Sequence, residues 1–157
     1  MKKISLTQGK YAIVDDSDYV FLNKNKWFAN KIGNTFYAVR TEGKKGNSKT
    51  ICMHRVIMNT PKGMDTDHID GDGLNNQKRN LRICTHSQNI CNRGIQKNST
   101  SEKKGVTWNR LSKKWQAQIK SGGKYFYLGV FKDKEKAYKT YCDACIKYHG
   151  NFSNLIK

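Results

Sequence analysis

The chain has 157 residues, with 30 Lys or Arg against 12 Asp or Glu, a formal net charge of +18 and a pI near 9.8. That length has room for one good core or two small ones. The charge calls for a polyanion, nucleic acid before an anionic membrane, since no amphipathic basic helix, signal peptide or long apolar run occurs.

The charge is uneven. Residues 1–60 carry 11 basic against 4 acidic side chains, residues 61–96 carry 5 against 4, and residues 97–157 carry 14 against 4. In the first part, "KYAIVDD", "FYAVRT" and "KTICMHRVIM" are β-branched and aromatic runs bounded by turn formers, and they predict short strands. "DYVFLNKNKWF" predicts at most one helical turn. Glu42–Lys49, "EGKKGNSK", reads as a hairpin loop whose charge is either solvated or in contact with phosphate. His54 and Arg55 are placed near a phosphate backbone.

The near-neutral middle holds "MDTDHIDGDGLNNQKRNLRICTHSQNICN", with four aspartates and two histidines. "MDTDHI" predicts a strand, "DGDGLNNQKR" a polar loop, "NLRIC" a second strand and "THSQNICNR" the start of a helix, with Thr85 and Gln88 spaced as a capping box. Asp70, Asp72, Asn75 and Asn76 read as ordinary loop formers with no chemistry. His86 is expected at solvent in the first helical turn. Strand, loop, strand and helix would gather Asp67, His68, Asn80 and Asn89. One carboxylate and one amide oxygen, from Asp67 and Asn89, suit Mg²⁺ or Mn²⁺, leaving coordination positions for water and phosphate. His68, if neutral, can take a proton from an attacking water, with its other N–H held by the Asn80 amide or by a carbonyl that Asn80 positions.

Asp67-His68, Asn80 and Asn89, within "HRVIM…DHIDGDGLNNQKRNLRICTHSQN", resemble the HNH (ββα-metal) nuclease motif of phage homing endonucleases over Met53 to Asn92. The resemblance implies that Asp67 and Asn89 bind the metal, that His68 is the general base and that Asn80 orients it. Many relatives carry paired zinc-binding C-x-x-C motifs around this unit, and this chain does not. Of its five cysteines, Cys142 and Cys145 form one C-x-x-C pair, to which Cys84 and Cys91 could in principle be added. The spacing does not suit a zinc knuckle, so buried thiols are expected and zinc is not. An odd cysteine count without a secretory signal also argues against a disulfide framework.

Residues 93–104, "RGIQKNSTSEKK", have no apolar period and read as a linker. Then "GVTWNR", "KWQAQIK" and "KYFYLGVF" predict three strands, followed by a helix from about Lys134 to Tyr148 capped by Asp133 and stopped at Gly150. Alternation turns Trp115, Ala117 and Ile119 toward that helix, with Phe126 and Leu128, and leaves Gln118, Lys120, Tyr125 and Tyr127 outward. Gly105-Val106, Trp115, Ala117, Ile119, Leu128-Gly129, Phe131, Ala137, Tyr141, Ala144 and His149-Gly150 make this stretch similar to the plant Apetala-two, or ethylene-response-factor, DNA-binding domain. That resemblance implies a sheet lying in the major groove. Arg110 and Gln118 are candidates for base readout, with Lys120, Tyr125 and Tyr127 on phosphate or sugar.

The expectation is an α+β protein with three parts. Residues 1–92 form an HNH nuclease domain with N-terminal short strands, 93–104 a linker, and 105–157 a three-stranded antiparallel sheet packed on one helix. Its function would be that of a site-recognising, metal-dependent endonuclease on double-stranded DNA in the cytoplasm of a bacterial or phage-infected cell. The alternative is a DNA-binding regulator or architectural protein retaining a degenerate HNH unit. Nicking versus double-strand cleavage and the oligomeric state stay open.

Overall fold

A computed structural model of the chain describes residues 1–44, 46–91, 95 and 99–152. Among the described residues the architecture is α+β, as expected, with small antiparallel sheets and four α-helices in two compact units, Met1–His86 and Ser87–Lys157. Among the described residues no helix is long and apolar enough to cross a membrane.

In the first unit β1 (Lys2–Ser5) pairs with β2 (Tyr11–Val14), and β3 (Phe28–Ile32), β4 (Thr35–Lys44) and β5 (Asn47–Cys52) form a second sheet. β1 and β3 were not anticipated. The first five residues of "DYVFLNKNKWF" belong to a seven-residue helix, α1 (Asp16–Leu22), which buries Leu22 beside Ile4, Ala12, Val14, Trp27, Ala38 and Met53. Each fully buried aliphatic side chain of this set contributes roughly 1.5–3 kcal/mol. Trp27 completes the cluster, its indole N–H donating to the Leu22 carbonyl at 2.8 Å.

Two expectations are corrected here. "KTICMHRVIM" is a strand only to Cys52, and Met53–Ile57 is a helix, α2. A helical turn carries Met53, Val56 and Ile57 onto one side, where Met53 is fully buried and the other two pack on the same core. Second, most of "EGKKGNSK" is paired strand, with Glu42 opposite Lys49 and Lys44 opposite Asn47.

β6 (Asp65–His68) and β7 (Leu81–Cys84) form a ribbon, with a 3-10 turn at Lys78–Asn80 before β7, and α3 (His86–Cys91) follows directly after Thr85.

In the second unit β8 (Val106–Asn109), β9 (Lys114–Ser121) and β10 (Lys124–Phe131) form one antiparallel sheet under α4 (Lys134–His149). Alternation works as read. Ala117 and Ile119 are buried with Val106, Ala137, Tyr141, Ala144 and Cys145, and Trp115, Phe126 and Leu128 pack at the edge of this cluster. The Asp133 carboxylate accepts from the Glu135 N–H at 2.8 Å, and Gly150 ends α4 at φ +51°, its N–H donating to the Ile146 carbonyl. Cys145 lies in this apolar core and Cys84 is buried in the first unit, while the side chain of Cys91 lies outside the described residues. Within the stretch read as a linker, residues 93–94 and 96–98 also lie outside the described residues. Ser101, however, is buried and its hydroxyl donates to the Val106 carbonyl at 2.6 Å, so the end of that stretch is part of the second unit.

Candidate active site

The β6–β7 ribbon is polar in sequence, yet Thr66, Asp67 and His68 are all buried. Buried polar groups are tolerable only when bonded, and the partners of these residues define the site. His68 and Asp67, successive strand residues, leave the ribbon on opposite faces.

On the His68 face the imidazole Nε2 lies 3.4 Å from Asn76 Oδ1. The ring meets His54 edge-on at 5.0 Å between centroids and Tyr37 at 5.9 Å. Burial lowers the His68 pKa from its ordinary value, partly opposed by the Asn76 contact and by the charges of Asp70, Asp67 and Asp72. An amide oxygen can only accept, so the tautomer that bonds Asn76 is the one with its hydrogen on Nε2, which makes Nδ1 the basic nitrogen.

Asn76 has no exposed surface, and it is held from the N-terminal ribbon. Its backbone N–H donates to the Ile13 carbonyl at 2.8 Å, and the Ile13 N–H donates to the Leu74 carbonyl at 2.9 Å. The loop can come this close to β4 because residue 73 is glycine. A Cβ there would sit 2.5 Å from the Phe36 carbonyl oxygen and 2.7 Å from the Tyr37 ring. Asp15 fastens the far end of the same loop, accepting from Gln77 Nε2 at 3.2 Å and the Lys78 N–H at 2.8 Å.

Asn80 is a correction in detail. Its amide does not hold His68. Nδ2 donates to Asp70 Oδ1 at 2.9 Å and the Asn75 carbonyl at 2.8 Å, and Oδ1 accepts from the Asp70 N–H at 3.1 Å. Asp70 also accepts from Asn75 Nδ2 and the Asp72 N–H. Burial would raise the Asp70 pKa, but these hydrogen bonds hold it below the usual value. Asn80 therefore reaches His68 through the loop that carries Asn76, a residue to which the sequence reading assigned no chemistry.

On the opposite face Asp67 Oδ2 accepts from Arg82 Nε at 2.8 Å and Nη2 at 2.7 Å across the ribbon, where the two residues are register partners. Arg82 was missed, although two strands meeting around the "DGDGLNN" loop put it opposite Asp67. Asn89 lies on α3, in the second unit. Among the described residues no group of three or more His, Cys, Asp or Glu side chains could hold an ion. His86, exposed as expected, contacts Asp65 Oδ2 at 2.9 Å.

His54 and Arg55 do not present themselves to a phosphate. α2 starts one residue before His54 and turns it inward, where burial, with the nearby His68 and Arg55 charges, pushes its pKa down to about 3. Its Nδ1 has no hydrogen-bond partner. The Arg55 guanidinium donates to the carbonyls of Met64 at 2.7 Å, Pro61 at 3.2 Å and Thr60 at 3.5 Å, closing the turn after α2.

The outward face of the second unit's sheet carries the other candidates. Gln118 is cross-strand from Tyr127 and Lys120 from Tyr125, with the Lys120 ammonium 5.1 Å from the Tyr125 ring centroid. Both tyrosines are about two-thirds exposed, at 67% and 64%. Asn109 Nδ2 donates to Gln116 Oε1 at 3.1 Å and Gln116 Nε2 to Gln118 Oε1 at 3.4 Å, a polar row of which only Gln118 is a candidate for base readout by sequence. Arg110 is exposed in the β8–β9 turn.

Residues 53–90 match the HNH endonuclease family model and form an HNH endonuclease domain. The chain is 38% identical over 64 residues to Protein 3.8 of Escherichia phage T7, covering 41% of this chain and 53% of that protein. It is 34% identical over 100 residues to an HNH endonuclease of Acanthamoeba polyphaga mimivirus, covering 63% and 50%. A third relative, from the SPbeta prophage of Bacillus subtilis (strain 168) and named as an HNH homing endonuclease, is 44% identical over 54 residues, covering 31% of each chain. The chain thus spans about half the length, or less, of these relatives. No solved structure matches.

Proposed function

We propose that the protein is a site-recognising DNA endonuclease that hydrolyses one phosphodiester per active site, leaving a 5′ phosphate and a 3′ hydroxyl. The observation that carries this reading is His68, buried within the matched segment with its pKa lowered and its Nε2 facing the Asn76 oxygen. A neutral imidazole with a defined tautomer can accept the proton of an attacking water at Nδ1. Asn76 orients the ring, and Asn80 holds the loop that delivers Asn76. Asp67 and Asn89 are the residues that would hold Mg²⁺ or Mn²⁺, with Arg82 fixing the Asp67 carboxylate. When bound, such a cation supplies charge stabilisation at the scissile phosphate.

The second unit would hold the duplex through its sheet in the manner of the Apetala-two-like domains it resembles. Arg110 and Gln118 would read bases, and Lys120, Tyr125 and Tyr127 would touch the backbone. The half-buried polar row on that face and the basic composition of residues 97–157 support this assignment. Phage and prophage relatives support action in the cytoplasm of a bacterial or phage-infected cell.

Supercoiled plasmid with Mg²⁺ or Mn²⁺ tests the reading. The unmodified protein should nick it, and His68→Ala should slow nicking by about 10²–10⁴-fold, the usual contribution of a general base. No nicking by the unmodified protein with either ion would leave the regulator or architectural protein as the better account.

A further inference from the structure

The β4–β5 hairpin continues well past the core. From Thr41 to Lys44 and from Asn47 to Thr50 every residue is exposed, and none is apolar. Even so, the strands keep unbroken register from Val39 opposite Cys52 to Lys44 opposite Asn47. A two-stranded ribbon with nothing to bury gains no hydrophobic stabilisation and is marginal alone. Such a projection calls for a partner.

Its two faces differ. Cross-strand pairs share a face, so Arg40, Glu42, Lys44, Asn47 and Lys49 stand on one side, and Thr41, Gly43, Ser48 and Thr50 on the other. Glu42 is 3.4 Å from the Arg40 guanidinium. Among the described residues Lys44 and Lys49 have no ion-pair partner. Lys44 stands beside the tip and Lys49 two residues down the flank from Asn47, the partner of Lys44. The small face is tight. Gly43 has φ +106°, and a Cβ there would lie 2.4 Å from the Asn47 carbonyl oxygen. The root is tied to the candidate site, because β5 ends at Cys52 and His54, two residues on, packs against the His68 ring.

We infer that this ribbon is a DNA-binding arm of the nuclease unit, with Lys44 and Lys49 contacting phosphates of the duplex that the unit cuts. A B-form major groove admits a two-stranded ribbon, and unpaired lysines on such a ribbon suit the flanking phosphates. The inference rests on DNA being the substrate, as proposed above, and it assigns to the first unit a grip separate from that of the C-terminal sheet.

The test is a salt titration of binding to a short random-sequence duplex, in EDTA so that nothing is cut, with the full chain. The double variant Lys44→Gln, Lys49→Gln is compared with a control of equal charge change, Lys24→Gln, Lys26→Gln. All four lysines are exposed, so packing is not disturbed. Each lost phosphate contact lowers the slope of log K against log salt by about 0.9, so the ribbon variant should lose about two and the control less than about one. Equal losses in the two variants overturn the arm. The outcome is separable from the nuclease reading. A steep ribbon effect in a protein that never nicks plasmid leaves the arm standing and removes the nuclease, whereas nicking with equal losses removes the arm alone.

Discussion

Asp67, His68, Asn76 and Asn80 of the first unit are buried and bonded to named partners, whereas Gln118, Lys120, Tyr125 and Tyr127 of the second stand on an open sheet face. The first arrangement gives up polar surface to water exclusion, and each member then depends on its partner, since a buried group left unpaired costs far more than the bond contributes. In the second the apolar side of the sheet and α4 carry the fold, and the outward side is left to contact a ligand. Chemistry that needs a fixed tautomer and a fixed carboxylate suits the first design, and recognition of a solvated polyanion suits the second. Substitutions should therefore cost stability and activity together at the buried set and binding alone on the open sheet face.

The largest effect expected on stability is at Arg82. Arg82→Ala would take both guanidinium bonds from the Asp67 carboxylate, which is 5% exposed. Breaking a buried pair from one side costs about 3–5 kcal/mol. Arg82 itself keeps some solvent contact, so about 3 kcal/mol is expected, read as a lower denaturation midpoint with an unchanged m-value. A loss below about 1 kcal/mol would mean that this pair behaves like a surface ion pair, and the contrast between the units would fail at its strongest point.

A smaller, pH-dependent effect is expected at His54. Its pKa is pushed down to about 3 by burial, then by the His68 and Arg55 charges, with Asp65 opposing. In the unfolded chain a histidine titrates near its ordinary 6.5. Between those values the unfolded state binds a proton that the folded state refuses, so stability is intact above pH 6.5 and falls as the pH is lowered toward 3. The slope for one proton is about 1.4 kcal/mol per pH unit. Urea denaturation between pH 7 and 5 should show a shallower acid loss for His54→Gln than for the unmodified protein. Parallel curves would show that His54 titrates normally and is not locked in the site.

How far the sequence carried each unit follows from the same contrast. The second unit was legible almost throughout, because period-two alternation in "KWQAQIK" and the Asp133 and Gly150 caps are local signals that the fold obeys. In the first unit β6 and β7 were legible from "MDTDHI" and "NLRIC", but the partners were not. Asn76 became the neighbour of His68 through a bridge to Ile13, some 60 residues away, and nothing near Asn76 announces it. The switch from β5 to α2 was hidden for a related reason. Met53, Val56 and Ile57 suit a strand by propensity and a helix by the core they meet, and the core decided. His54 read as a surface histidine because its burial depends on that switch.

The smallest stability effect is expected at Tyr127, on the open face. The side chain is 64% exposed, and its cross-strand neighbour Gln118 already bonds Gln116, so Tyr127→Ala removes little packing. Its stability should stay within about 0.5 kcal/mol of the unmodified protein, the range for surface substitutions. If the face grips DNA, the same variant should bind a duplex several-fold more weakly at fixed salt, with folding unchanged. A stability loss above about 1 kcal/mol with normal binding would reverse the assignment, making the tyrosine a structural cover for the bulge between Tyr127 and Gly129. The paired measurement matters because neither value alone separates a contact surface from a folding element. Only loss of affinity without loss of stability is specific to a face the fold does not need.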